Sequence, residues 1–463
     1  MTTNLQNFGW GRIARLGLVQ ASLGAIVVLT TSTLNRVMVV ELALPALLPG
    51  FLVALHYLVQ IARPRMGHGS DVGGRRTPWI IGGVAVLGTG GIIAALATVW
   101  MASDRPAGIA LAVLGFMLVG LGVSASGTSL LVMLAKRVPE GRRAGAATLV
   151  WMMMIAGFAI TAGLAGHWLD PYSPLRLVVV TCVVSALALL LTILALFRLE
   201  EPAGKTTEAE TPTAKAEAKP GFREALDQVW QEPAARRFTI FVFVSMLAYS
   251  AQDLILEPFA GTVFSLTPGG STKLSGVQHA GVLLGMMLVA LAGAIGARNS
   301  QHPFWRHAGS LRGWTVGGCV ASALAMLGLV GAGVMGSGWP LKETVFALGV
   351  ANGAFSIGAI GSMMRMANEG RQSREGVRMG LWGAAQALAF GLGGLVGTAA
   401  SDLARWLIAS PGLAYASVFA LEALAFFISA VMAWKISAVK TQPPSQLSEP
   451  RQVALNFSSP SGA

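Results

Sequence analysis

The 463-residue sequence predicts an all-α membrane protein of twelve transmembrane helices, arranged as two six-helix halves. Three observations carry that expectation. Hydrophobic residues make up 54% of the chain and charged residues only 12%, about half the charged share of an average soluble domain. Apolar runs recur at the length a bilayer demands, roughly 20 residues. A charged linker near the middle separates them into two equal sets. Such a composition, with mean hydropathy of +0.64, excludes a soluble globular enzyme, a disordered chain and a small disulfide scaffold.

Taken in order, the candidate spans lie at about 16–40, 45–62, 78–101, 107–135, 146–168 and 174–197, then 238–260, 276–297, 312–336, 340–364, 378–408 and 411–435. The first follows a polar start carrying Arg12 and Arg15. It is too long for the apolar region of a cleaved signal and long enough to cross. Connections near 41–45 and 405–411 are very short. Residues 1–197 are read as the first bundle, 198–237 as a linker, 238–436 as the second bundle and 437–463 as a disordered Pro/Ser-rich tail. Within the linker, Phe222, Leu226, Val229 and Trp230 recur at helical spacing among Arg223, Glu224 and Asp227. That pattern suits a short amphipathic helix, either capping the bundle or sensing lipid.

Net charge is +12, from 33 Lys and Arg against 21 Asp and Glu. In so apolar a chain this marks cytoplasmic loops, not a nucleic-acid partner. All the basic residues except Arg36, Arg105, Arg176, Lys273, Lys342 and Arg405 fall on one side of the expected topology, together with both termini. Both termini are therefore expected in the cytoplasm.

The halves carry traces of repetition. Glu140-Gly141-Arg142-Arg143-Ala144-Gly145 matches Glu375-Gly376-Val377-Arg378-Met379-Gly380 as E-G-x-R-x-G, each before the fifth span of its half. Glu41 precedes Pro45 at the end of the first span, and Glu257 precedes Pro258 near the end of the seventh. These correspondences favour a parallel six-plus-six repeat. Cys182 and Cys319 lie in apolar runs without partners at metal-ligand spacing and read as small core residues.

The loop between the second and third spans reads Gly67-His68-Gly69-Ser70-Asp71-Val72-Gly73-Gly74-Arg75-Arg76. It resembles the signature loop of the major facilitator superfamily at every position except Val72. The resemblance implies that superfamily's fold, and a conformational latch formed by Gly67, Asp71, Gly74, Arg75 and Arg76. The equivalent loop of the second half, 298–312, does not repeat the pattern.

Ionisable residues inside spans are costly and count as functional candidates. Asn35, Arg36 and Glu41 lie toward the end of the first span; Gln252, Asp253 and Glu257 lie toward the end of the seventh. Asp253 and Glu257 share a helical face at i, i+4. Arg36 is expected to pair with Asp253 or Glu257 and close that side, or else to snorkel to the nearby interface. With the loop at Gly67–Arg76, the stretches Thr33–Leu42 and Gln252–Phe259 resemble the PucC/LhaA family, the bacteriochlorophyll-delivery branch of the superfamily. This likeness covers residues 8–437 apart from the linker. It implies a phototrophic bacterium's inner, intracytoplasmic photosynthetic membrane, bacteriochlorophyll as cargo, and assembly of light-harvesting antenna polypeptides.

Cargo of that kind needs an axial ligand for magnesium and a broad apolar surface. His56, beside Tyr57 and four residues before Gln60, is the best candidate ligand; the competing reading is a histidine bonded within the helix packing. Trp151 and Met154 sit in a soft, adaptable stretch that suits a flat macrocycle or plain packing. Glycine pairs such as Gly281/Gly285, Gly349/Gly353 and Gly393/Gly397 suit close helix approach or a groove for an antenna helix. No enzyme signal is found: Gly204-Lys205-Thr206 resembles the end of a phosphate-binding loop, but Leu199 stands where its first glycine belongs. The expected function is non-enzymatic pigment delivery. Alternatives are proton-coupled transport of a small or lipid-like solute, and a scaffold for bacteriochlorophyll biosynthesis enzymes.

Overall fold

The structure is a computed structural model that describes residues 8–60, 75–200, 227, 230–298, 310–369 and 375–438. Twelve principal helices occur among them. The first half holds α1 (Trp10–Glu41), α2 (Leu47–Val59), α3 (Thr77–Trp100), α4 (Arg105–Arg137), α5 (Glu140–Trp168) and α6 (Pro174–Leu196). The second holds α7 (Pro233–Val263), α8 (Pro268–Arg298), α9 (Leu311–Met335), α10 (Leu341–Glu369), α11 (Glu375–Leu407) and α12 (Pro411–Ala438). Eleven are long and apolar enough to cross a membrane; α2, expected over about 45–62, is described over only 13 residues.

Local chemistry explains where the helices begin. Pro78, Pro106, Pro174 and Pro233 sit in first turns, where a missing N–H loses no bond. Asp104, Ser173 and Ser310 cap α4, α6 and α9 by accepting from the amides of Ala107, Arg176 and Gly313. Both E-G-x-R-x-G stretches open a helix, α5 and α11. α9 ends at Gly336, whose φ of +66° a side chain would resist.

α1 and α7 end alike. Ala43 and Ser265 adopt left-handed φ of 50° and 56°, and the following amides, Leu44 and Leu266, reach back to the carbonyls of Met38 and Ala260. This is the same C-terminal turn built twice. Before its end, α1 widens into π-helical turns at Leu29–Thr33 and Val37–Glu41, with the Leu42 amide bonded to Val37.

The faces of the bundle follow from side chains that tie helix ends together. Arg15 near the start of α1 donates to the carbonyls of Ala195 and Phe197 at the end of α6. Just beyond, Glu200 accepts the amides of Arg76 and Thr77 at the start of α3, at 2.8–3.0 Å. The starts of α1 and α3 therefore share one face, so the chain between them goes out and returns. In the second half Arg312 bonds the Trp434 carbonyl at 3.2 Å and stacks over its ring, joining the start of α9 to the end of α12. We call this the termini face.

Packing repeats as well. In the first half α1 packs on α5 and α6, α3 on α4 and α6, and α2 on α4. Adding six to each index gives the packing of the second half: α7 on α11 and α12, α9 on α10 and α12, α8 on α10. The halves meet along two equivalent seams, α2 against α11 and α5 against α8, with α1 bedded on α7 and α8. Each half buries its own apolar core, around Leu52 and Phe116 in the first and Phe259 and Phe419 in the second. Glycines let helices touch: a Cβ on Gly349 or Gly353 of α10 would run into the carbonyls of Gln278 or Val282 on α8.

Candidate functional site between the two halves

The polar residues singled out in the sequence converge where α1 meets α7 and α8. Arg36 is 2% exposed. The expected direct pairing with Asp253 or Glu257 is corrected here: its guanidinium pairs with Glu41 of its own helix and donates to the Leu266 carbonyl, 2.6 Å away, in the turn that ends α7, while Glu257 feels its charge. The reason is the wide turn at Val37–Glu41, which brings a residue five positions on alongside Arg36. Gly261 of α7 makes room, since a Cβ there would stand 2.9 Å from Arg36 Nη2.

Within the turn before Arg36, Asn35 Nδ2 donates to the Leu254 carbonyl at 2.6 Å, and Thr33 and Thr272 hydroxyls lie 3.1 Å apart. Ser32 donates to Glu257, which also accepts from Ser271 at 3.3 Å. Asp253 accepts from Gln278 of α8 at 3.3 Å, so both acids of the i, i+4 pair face α8. Gln252 is buried in α7. Sequence reading passed over Glu422 of α12, which is 5% exposed, has neither carboxyl oxygen hydrogen-bonded and feels the charge of Asp253. A lone Glu inside the twelfth apolar run was its available signal.

The candidate pigment residues separate onto the two seams. His56 and Tyr57 lie on α2 and Gln60 directly follows its end: the buried His56 ring has Nε2 2.9 Å from Gln60 Nε2 and stands edge-on to Tyr57 at 4.7 Å. Tyr57 reaches Phe390 of α11 at 5.5 Å, and Phe390 continues to Tyr249 at 5.9 Å. Trp151 and Met154 lie on α5. Gln20 donates to the Met154 sulfur at 3.2 Å, and Met154 packs with Ile155, Val282 and Met286 between α5 and α8. His56 and Met154 thus do not share a site. An open apolar groove of about 640 Å³ lies elsewhere, between α9 and α10, with Gly313, Gly317 and Ala321 on one wall and Phe346, Val350 and Ala354 on the other.

Two further acids, unflagged in the sequence, tie the seams at the face opposite the termini. Asp170, just past α5, accepts from Thr267 at 2.7 Å and Lys273 at 2.9 Å at the start of α8. Partial burial pushes its carboxyl up, but the Thr267 hydroxyl and Lys273 ammonium outweigh that and hold it below the usual carboxylate range. Asp402, near the end of α11, accepts the amides of Ala46 and Leu47 at 2.9 and 2.8 Å, capping α2 from the other half. Their signal was position: acids at helix ends away from the basic loops.

Of the latch residues, Gly67, Asp71 and Gly74 lie outside the described residues; Arg75 is exposed and Arg76 half-buried at the start of α3. Phe222, Leu226 and Val229 of the linker also lie outside them, whereas Asp227 and Trp230 are helical and exposed. Cys182 is half-buried and Cys319 buried, both as free thiols. Among the described residues no cluster of His, Cys, Asp and Glu could hold a metal ion.

The sequence profile of the family described as PUCC protein matches residues 33–441. A Rhodobacter capsulatus protein named bacteriochlorophyll synthase 44.5 kDa chain is 50% identical over 93% of this chain and 96% of its own. Protein PucC of Cereibacter sphaeroides is 28% identical over 91% of each. Among solved structures, a bacterial homologue of the human lysosomal transporter Spinster superposes with a TM-score of 0.61 at 16% identity, covering 92% of this chain and 95% of its own. The fold is that of major facilitator superfamily transporters.

Proposed function

The chain belongs to the PUCC protein family, and on that premise we propose that it is a non-enzymatic assembly factor that binds bacteriochlorophyll and delivers it to single-span light-harvesting antenna polypeptides within the bilayer. The observation that carries this reading is the family match across residues 33–441. The names of the relatives add bacteriochlorophyll in one case and PucC in another. We take the termini face to be cytoplasmic, since the basic residues gather there. The membrane is then the inner, photosynthetic membrane of a phototrophic bacterium, where bacteriochlorophyll biosynthesis enzymes are a further class of partner.

Delivery of a greasy, flat pigment requires an apolar surface open to lipid. The groove between α9 and α10 supports the reading, because Gly313 and Gly317 leave one wall bare while Phe346 adds aromatic area to the other. His56 has Nε2 engaged by Gln60 in this conformation, and ligation of magnesium through that nitrogen requires the contact to break. The test is purification from the phototrophic host with an absorbance spectrum. Stoichiometric bacteriochlorophyll supports delivery, and deletion of the gene should remove an antenna band in the near infrared while reaction centres persist.

Three acids inside spans, the half-buried Asp253 and the buried Glu257 and Glu422, favour a second reading, proton-coupled transport of a small or lipid-like solute. Colourless protein that carries solute in a pH-dependent way would establish it and displace the first.

A further inference from the structure

We infer that Asp170 and Asp402 are a matched pair of clasps that hold the two halves together at the face opposite the termini, and that this face parts only when both release. The repeat relates them. Exchanging the halves turns α5 into α11 and α8 into α2. Each acid therefore comes from the end of the same helix in its half, and each takes hold of the start of the same helix in the other. Asp170 holds the Thr267 hydroxyl and the Lys273 ammonium; Asp402 holds the Ala46 and Leu47 amides. The two clasps stand on the two separate seams, so together they grip both flanks of the central cluster.

Polarity along the seams points the same way. Among the described residues, hydrogen bonds cross between the halves at Ser32, Thr33, Asn35, Arg36, Ala46, Leu47 and Asp170, all in the part of the molecule nearer that face. Toward the termini face the halves pack through large apolar side chains, Tyr57 on Phe390, and Met152 and Ile155 beside Met286 and Val289. Packed apolar surface does not part readily into water. Carboxylates at a membrane surface exchange their partners for water with little loss, because their hydration is restored as the bond breaks. The clasped face is thus the one chemically equipped to open and reclose. Asp402 in addition leaves two α2 amides to water when it lets go, which makes its release visible in that helix end. The inference does not depend on what the protein carries.

Ser275 supplies the reporter, being buried beside Ser32 in the cluster the clasps enclose. In a full-length background with Cys182→Ala and Cys319→Ala, a Ser275→Cys thiol is exposed to a membrane-impermeant maleimide from the face opposite the termini. Asp170→Ala with Asp402→Ala should raise its labelling rate by about tenfold or more, each single change giving a smaller rise, as expected when two bonds bias one opening equilibrium. Thr267→Val with Lys273→Met removes the partners of Asp170 and keeps the acid; it should match Asp170→Ala, and it decides the matter if the double acid variant fails to fold. An unchanged rate in a monodisperse variant overturns the inference. So does an equal rise at Met286→Cys, deeper along the α5–α8 seam, which would report general loosening instead of opening at one face.

Discussion

Arg36 and Glu41 form an unequal pair, and the inequality has a measurable consequence. Arg36 is 2% exposed whereas Glu41 is 34% exposed. Removing Glu41 leaves a guanidinium sealed in the protein with the Leu266 carbonyl as its hydrogen-bond acceptor, and because water reaches Glu41 the loss falls below the roughly 3–5 kcal/mol of a fully buried pair. Removing Arg36 leaves a carboxylate that water can reach. Glu41→Ala should therefore lower the melting temperature in detergent more than Arg36→Met, and the double variant should recover much of the loss. At the termini face, Glu200 caps α3 through two amides. Partial burial raises its carboxyl, but the amides of Arg76 and Thr77 prevail and hold it below the usual range. A lowered folded value means the contribution is full above the unfolded value, roughly 4.3, and fades as pH falls below it. Glu200→Gln should cost about 1 kcal/mol near neutrality, and its melting deficit should shrink toward pH 3–4. The importance of Arg36 was legible in the sequence because charge inside a span is rare. Its partner was not, since a carboxylate of the seventh span was expected and the π-helical turn instead brought Glu41 of its own helix into reach at i, i+5.

Glycines on neighbouring helices do different jobs. Gly349 and Gly353 press α10 against α8, where a Cβ would strike carbonyl oxygens of Gln278 and Val282. Gly317 on α9 has nothing near where its Cβ would be, and it lines the open groove. Gly349→Val should sharply lower thermal stability because two helix backbones must separate. Gly317→Phe should fold normally and fill the groove; if pigment sits there, co-purified bacteriochlorophyll should fall about tenfold, the equivalent of roughly 1.4 kcal/mol. The sequence marked Gly349 and Gly353 by spacing and not Gly317, and spacing cannot say which side of a helix faces a neighbour and which faces lipid. Glu422 was missed for a related reason: a single acid in an apolar run carries no indication of the element it meets.

The two-half architecture was legible because it rests on quantities a bilayer imposes, run length and charge placement. What the sequence could not supply was the pairing of helices across the halves, which arises from packing between residues hundreds of positions apart. That pairing brings Asp170 to Lys273 and Asp402 to Leu47. The topology also makes a prediction about sidedness. Ser103 sits exposed in the connection from α3 to α4, opposite the termini, while Arg142 is exposed at the start of α5. If the termini face is cytoplasmic, an impermeant thiol reagent added to intact cells should label Ser103→Cys and spare Arg142→Cys; the reverse pattern would invert the orientation.

The widened turn of α1 at Val37–Glu41 holds more chain than an ordinary helical turn. Loss of one residue there would leave the rod almost the same height yet rotate everything on one side of the cut by about a quarter-turn or more. The basic group would then swing off the shoulder of α7, away from the Leu266 carbonyl. A shortened variant should therefore insert and traverse the bilayer, but lose its grip on the opposite half.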